Sequence, residues 1–543
     1  MKLKKIITYI VVGVLMSGTL ASCSSDFLKE YSQDLSRVKT VDDLNELLVG
    51  DCYLPKGYFN ISNGNIIHRN SNYVILHFMS DELQENIPED TYDNDGASFR
   101  ETMFPYFTWQ QNLYVDTNGK SSYEDQEDTY WSLAYEKINN CNMVLAEGNH
   151  LAVGSETEKA KVLRIQGECY FLRAFYYLTL VNLYGKPYTS ATASADPAVP
   201  IKTSESVEDK DFQRASVAEV YQQILDDLTQ AELLLENVHE NLSIYHANIE
   251  ALYILRSRVA LYMQDWQTAI DYAQKAINHN STLYNLIGTE GSGYPMSLSN
   301  PEIVYSNGSS MLGNMLQIHP QKASGWNNNT PIWIVSDELY HLFSDNDVRK
   351  VTYITTKDDV DENKPTYHKI DNSETSFGKY KEVSDVFSIR TAEAYLNMAE
   401  AKAEMGEDAE ACTWLTLLRQ KRLSEGAEVN LSGAELMQMI RDERLRELCF
   451  EGHRWFDLRR YMVDVRYPYT KEIVHGISFF RFSYPYGRTK IDYYKLEKND
   501  GAYVLNIPKK VRDFQPSIGS NERPQRVLQS SYQEPDDGDD EDW

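Results

Sequence analysis

Between Ala251 and Ile277, the residues Leu252, Leu255, Leu261, Tyr262, Trp266, Ala269, Tyr272, Ala273 and Ile277 recur at helical spacing. Two successive helices therefore carry an apolar face that only another helix layer can cover. The pattern returns at Ala392 to Leu418, with Gly406 placed between the two helices. Small alanines let the helices of each pair approach, and large aromatics fill the gaps between pairs. Upstream, Ser216 and Glu219 form a capping box, after which Val217, Val220, Tyr221, Ile224, Leu225, Leu228 and Ala231 trace one face. Further pairs are expected at Tyr130 to Ala146 with Glu156 to Tyr184, and at Asp211 to Asn237 with the helix beginning at Ala251. Such pairs bury their faces by stacking, so a chain of 543 residues can extend one scaffold without enlarging a single core. The predicted class is mainly α, with tetratricopeptide-type helix pairs as its frame.

Polar, irregular insertions interrupt this frame at about 86–128, 281–332, 358–383 and 467–504, the last alternating in a way that suggests short strands. Loops on a rigid scaffold are common seats for binding residues. Trp131, Trp266 and Trp414 fall on predicted helices and Trp455 beside another, which makes them core candidates, while Trp333 is ambiguous. Trp109 in FTWQQN and Trp326 in SGWNNNT are surrounded by amides. An indole covered by the C–H face of a pyranose, with Asn94, Gln110 and Asn328 bonding hydroxyls, is one reading of that mixture. A tryptophan plugged into a local core is the other. Tyr92 and Tyr294 are weaker stacking candidates, and Tyr484 and Tyr486 belong with them.

The first residues carry an address. Lys2, Lys4 and Lys5 precede an apolar run from Ile6 to Met16, of the length of a secretory signal and too short for a mature span. Leu20-Ala21-Ser22-Cys23 resembles a lipobox, so residues 1–22 are expected to be removed and Cys23 to carry the lipid anchor. Ser24-Ser25-Asp26 is similar to an acidic surface-export tag. Loss of the three lysines takes the formal net charge from −28 to −31, which disfavours nucleic acid and anionic headgroups as partners. Cys52, Cys141, Cys169, Cys412 and Cys449 are odd in number and lack CxxC spacing; they are expected to be free buried thiols, with no disulfide framework and no zinc site. Residues 526–543, ending in EPDDGDDEDW, read as a disordered acidic tail.

No pattern singles out catalysis. A glycosidase needs two carboxylates about 5–10 Å apart, one with a raised pKa, and this acidic chain offers dozens of pairs and marks none. There is no G-x-S-x-G elbow, no Walker loop and no HExxH. The runs Asp93 to Gly96 and Ser344 to Asp347 have too few placed oxygens to read as calcium loops and are expected to be solvated turns. No cofactor and no metal are expected.

Several blocks together carry a family resemblance: ERLRELCFEGHRWFDLRRY from Glu443 to Tyr461, GECYFLRAFYYLTLVNLYGKPY from Gly167 to Tyr188, RTAEAYLNMAEAKAE from Arg390 to Glu404, TVDDLNELLVGDCY from Thr40 to Tyr53, and the Ser80-Asp81-Glu82 triplet. Asn506-Ile507-Pro508 and the Pro516 to Asn521 segment sit where members carry an Ile-Pro and a later Asn. The chain resembles the SusD/RagB family from about residue 20 to about 525. The resemblance implies a single SusD-like domain over 23–525, with ligand-binding insertions laid over helical repeats and a few short strands. It further implies a surface lipoprotein of the outer membrane that captures glycan without turning it over and passes it to a SusC-like TonB-dependent transporter. Capture of peptides, as in RagB-like members, and glycan hydrolysis are the rival readings. Within the Glu443 to Tyr461 block, Leu445, Leu448 and Cys449 are expected to face inward and Arg444, Arg446 and Glu447 outward, with Gly452 ending the helix; Trp455, Phe456 and Leu458 would pack inward while Arg454, Asp457 and Arg459 pair around them.

Overall fold

The computed structural model describes residues 38–534, apart from 55–57, 63–64, 70–73, 88–90, 95–96, 122–128, 239, 241, 291–292, most of 308–330, 357–363, 371–382, 385–386 and 482–486. Its frame is a stack of helices in chain order: α1 (Thr129–His150), α2 (Glu156–Tyr184), α3 (Val217–Leu235), α4 (Ile249–Met263), α5 (Trp266–His279), α6 (Thr391–Glu404), α7 (Asp408–Arg419) and α8 (Gly433–Leu448). Each packs on the next through α7, with α5 against α6 across the long second insertion, and α8 covers α6. The predicted pairs are all present.

Local chemistry explains the boundaries. Ser216 Oγ accepts from Glu219 N at 3.2 Å while Ser216 N donates to Glu219 Oε2 at 2.7 Å, the reciprocal cap that starts α3. Asn248 caps α4 in the same direction, its side chain accepting from Ala251 N at 2.9 Å. Gly406 turns the chain from α6 to α7 at φ +83°, a conformation open to glycine without a Cβ penalty. α2 is buried almost all round from Val162 to Tyr184, which is why its aromatics show no single face. The main core gathers α1 to α6, and a smaller one forms where Leu396, Ala399, Leu415, Leu436 and Ile440 of α6, α7 and α8 meet.

Four expectations are corrected. Arg444, Arg446 and Glu447, predicted on the solvated side of α8, are all buried: Asp457 and Arg349 from other elements pair with Arg444 and Glu447, and Arg446 pairs with Glu443 one turn back on α8 itself. α8 ends at Leu448, four residues before Gly452; Phe450 adopts φ +63° and Gly452 φ +83° in the turn that follows. The first insertion is not wholly irregular, since Ala97–Phe107 is a helix. Finally, the supposed tail begins as structure. Leu528–Gln533 is the third strand of an antiparallel sheet, paired with Gly487–Leu496, and Arg526 is held by both carboxylate oxygens of Asp500 at 2.9 and 3.1 Å; residues 535–543 lie outside the described residues.

Candidate ligand-binding face

The signature block acts as a foundation. Following α8, the short helix α9 (Arg454–Met462) directs Arg454 at Asp81, with Nε donating to Oδ1 and Nη2 to Oδ2, both at 2.7 Å. Lys471 Nζ adds a third bond to Asp81 at 2.6 Å, and these two cations hold the buried carboxyl well below its usual range against the cost of burial. Next to it, Glu82 accepts from Phe450 N at 2.6 Å and from Ser80 Oγ at 3.0 Å, and lies 2.9 Å from His77 Nδ1. The Ser80-Asp81-Glu82 triplet thus ties the signature turn to the segment that opens the first insertion. Arg444 and Arg460 share Asp457 in the same way, at 2.9 and 2.8 Å. Arg459 departs from the expected pairing: its guanidinium donates to the Gly185 carbonyl and has no carboxylate partner among the described residues.

Three insertions converge above this base. β1 (Leu83–Glu85) pairs antiparallel with β5 (Trp333–Val335), and Asn86 N donates to Ile332 O at 2.7 Å. The buried Glu85 carboxylate then joins two further segments, accepting from Arg100 Nε at 2.5 Å and from Ser478 N at 2.6 Å. Ser478 belongs to β7 (Ile473–Arg481), which pairs with β8 (Gly487–Leu496) and through it with β9 (Leu528–Gln533). β2 (Thr91–Asn94) pairs antiparallel with β4 (Pro320–Lys322), Asn94 opposite Pro320, and lies beside β8. β3 (Ile303–Tyr305) pairs antiparallel with β6 (Ile389–Arg390), and both pack against α4.

This geometry sorts the candidate residues. Trp109 is corrected: it is 0% exposed and has no face to offer a sugar. Its backbone takes φ +51° just past the helix Ala97–Phe107, its ring stacks on His475 at 4.4 Å, and its Nε1 donates to Met79 O at 2.9 Å. His475 stacks in turn on Phe107 at 4.0 Å, and burial pushes its pKa down to about 4. Gln110 belongs to the same structural corner: its amide donates to Thr108 Oγ1 at 3.0 Å and its carbonyl accepts from Arg523 at 3.1 Å. Tyr92 and Asn94 lie on β2, which pairs with β4; β4 ends at Lys322, four positions before Trp326 in the chain. Trp326, Asn328, Tyr484 and Tyr486 lie outside the described residues, as does Cys23. Tyr294 stands apart, half-buried with its ring 4.7 Å from His368, at a cavity of about 200 Å³ lined also by Tyr284, Thr289, Ser297 and Ser299.

Of the other tryptophans, Trp131, Trp333 and Trp455 are buried and Trp266 and Trp414 half-buried against the cores. The Ser344 to Asp347 run is a turn whose carboxylates meet cations, Asp345 with Lys350 at 2.7 Å and Asp347 with Arg349 at 2.8 Å. Sequence reading missed Glu85 and Arg100, which hold the insertions together; no spacing announces a bond made across more than 370 residues to Ser478. Among the described residues no helix is long and apolar enough to cross a membrane.

This helical frame with its short strands matches SusD-like structures. A family described as "Starch-binding associating with outer membrane" matches residues 75–261, and the SusD family matches 348–523. SusD-like protein P25 of Formosa agariphila is 24% identical over 390 residues, 62% of this chain and 70% of that protein. The crystal structure of a SusD-like carbohydrate binding protein from Bacteroides vulgatus superposes with TM-score 0.64 at 21% identity, covering 89% of this chain and 97% of that one. A SusD superfamily protein from Bacteroides thetaiotaomicron gives the same TM-score at 20% identity, covering 89% and 100%. The chain belongs to the SusD/RagB family.

Proposed function

We propose that the protein captures a glycan at the cell surface, is anchored in the outer leaflet of the outer membrane through Cys23, and hands its ligand to a SusC-like TonB-dependent transporter without cleaving it. The observation that carries this reading is the convergence of three insertions, knotted at Glu85, on the SusD-like frame. Its relatives supply the ligand class, since the Bacteroides vulgatus structure is that of a carbohydrate binding protein. Tyr92, Asn94, Trp326 and Asn328 form the ring-stacking and hydroxyl-bonding set, Tyr294 a second position, and Trp109 and Gln110 their support. The soluble chain from residue 24 is to be screened against host and dietary glycans by gel retardation, then by calorimetry. One glycan should retard it with no change in the glycan's chain length, and Trp326→Ala should weaken that binding at least tenfold. Shortened products would replace capture with hydrolysis. Binding of a protein digest and of no glycan would replace it with peptide capture, a reading favoured by the net charge of −28. Anchoring is checked by palmitate labelling lost in Cys23→Ser, and partnering by co-purification of a β-barrel with the wild-type protein.

A further inference from the structure

Three of the five cysteines after residue 23 meet at one point. Cys52 closes a five-residue π-helical turn, Leu48–Cys52, Cys141 lies in the middle of α1 and Cys169 in the middle of α2; all three are 0% exposed, and their sulfurs lie within 4.8 Å of one another. Residues 89 and 28 positions apart in the chain have thus been brought sulfur to sulfur by three different elements. A thiol buried alone is a small apolar filler. Three that converge have a further property, because sulfurs about 2.3 Å from a central ion stand roughly 4 Å apart in a trigonal plane, so this spacing needs shifts of an ångström or less to ligate one.

Two basic side chains lie near the cluster. Lys137 is held by the Asp51 carbonyl at 2.8 Å, one residue from Cys52. Arg173 stands one turn beyond Cys169 and reaches Asn142, the neighbour of Cys141, at 2.7 Å. Arg173 is itself bound to Asp227 through two bonds at 2.9 and 2.5 Å, and Lys137 stands 3.2 Å from Glu136, so both cations are already paired and the sulfur geometry defines the site. A π-helical turn is an unusual way to end a helix and often marks a functional position. Here it points Cys52 inward while Val49 and Asp51 stay exposed.

We infer that Cys52, Cys141 and Cys169 form a buried three-sulfur site for one soft d¹⁰ cation, Cu(I) being the ion it fits best. Thiolate donors select Cu(I) and Zn(II) among biological cations, and structural Zn(II) takes four ligands, whereas the described residues here bring together three. Binding converts the thiols to thiolates and releases up to three protons to solvent, with no redox change. The bound ion staples the segment 41–52, the first described stretch of the chain, to the α1–α2 pair on which the rest of the scaffold is stacked.

The test uses the full chain in detergent, reduced and oxygen-free, titrated with Cu(I) against a chromogenic Cu(I) chelator. One equivalent should bind, with ultraviolet sulfur-to-copper charge-transfer absorption, and free Cu(I) at a hundred times its dissociation constant should raise Tm by roughly 2–3 °C. Cys52→Ala, Cys141→Ala and Cys169→Ala should each weaken binding at least tenfold, and Cys412→Ala, outside the cluster, should not. Should these variants fail to fold, X-ray absorption on the loaded wild type decides: three sulfur neighbours support the site, and two sulfurs or a shell of oxygen and nitrogen overturn it. Preferential binding of Zn(II) with a fourth ligand overturns the copper assignment. Failure to bind either ion overturns the site and leaves the thiols as packing.

Discussion

Replacing Glu447 with Gln should be among the most damaging isosteric changes in this protein. Glu447 Oε1 accepts from Arg422 and Arg390, each at 2.9 Å, and from the Tyr353 hydroxyl at 3.3 Å; Oε2 accepts from Arg422 and Arg349, each at 2.9 Å. These three arginines, with Lys369, Arg419 and Arg446, are six buried or nearly buried cations facing the five carboxylates of Glu302, Asp347, Glu443, Glu447 and Glu451. Gln would leave four carboxylates to six cations and turn an amide N–H₂ against guanidinium donors. An uncompensated buried charge costs about 3–5 kcal/mol. With unfolding entropy near 2.1 cal/mol/K per residue, a chain of ~500 residues converts this to a fall of ~3–5 °C in Tm. The pH dependence gives a second, independent reading. The arginines hold the Glu447 pKa well below the usual value despite its burial, so its stabilisation is complete above the unfolded carboxylate pKa of about 4.5 and is lost as pH falls below that. The gap between wild type and Glu447→Gln, measured by urea unfolding, should therefore be widest at pH 7 and shrink towards pH 3. A gap under about 1 kcal/mol at pH 7, or one independent of pH, would refute the reasoning.

Trp109→Ala should lower stability by about 3–5 kcal/mol, seen in urea midpoints, because it opens a cavity beside His475 and removes the bond to Met79. Gly167→Ala should cost about 1–3 kcal/mol, since a Cβ there would stand 2.8 Å from Leu235 Cγ at the α2–α3 crossing; thermal unfolding checks it. Burial raises the Glu250 pKa to about 7, so the folded state keeps a proton that the unfolded chain has released above about 4.5. Stability should consequently fall as pH rises from 4.5 through 7, and Glu250→Gln should flatten that slope in a pH series of unfolding midpoints.

Helix pairing was legible in the chain because periodicity reports which side of a helix must be covered, and the capping box at Ser216 announces where a helix begins. The signature block could be read as structural for the same reason, though not the fate of its charges. Period and composition put Arg444 and Glu447 outside; partners from residues 349 to 457 put them inside, and a charge tolerates burial only when such partners are present. Trp109 shows the converse. Its amide-rich neighbours read as a binding loop, yet the residues that enclose it, Met79, His475 and Arg526, are 30 to more than 400 positions away.

What the sequence determined by itself is the set of local preferences: the repeat of apolar faces, the acidic balance, and the motifs that mark the family. What only the tertiary structure decided is which distant groups meet. The union of insertions at Glu85, the pairing of β2 with the strand before Trp326, and the convergence of Cys52, Cys141 and Cys169 are contacts between elements. They follow from how the helices stack, and no neighbour along the chain encodes them, because periodicity specifies a face to be buried and leaves open what buries it.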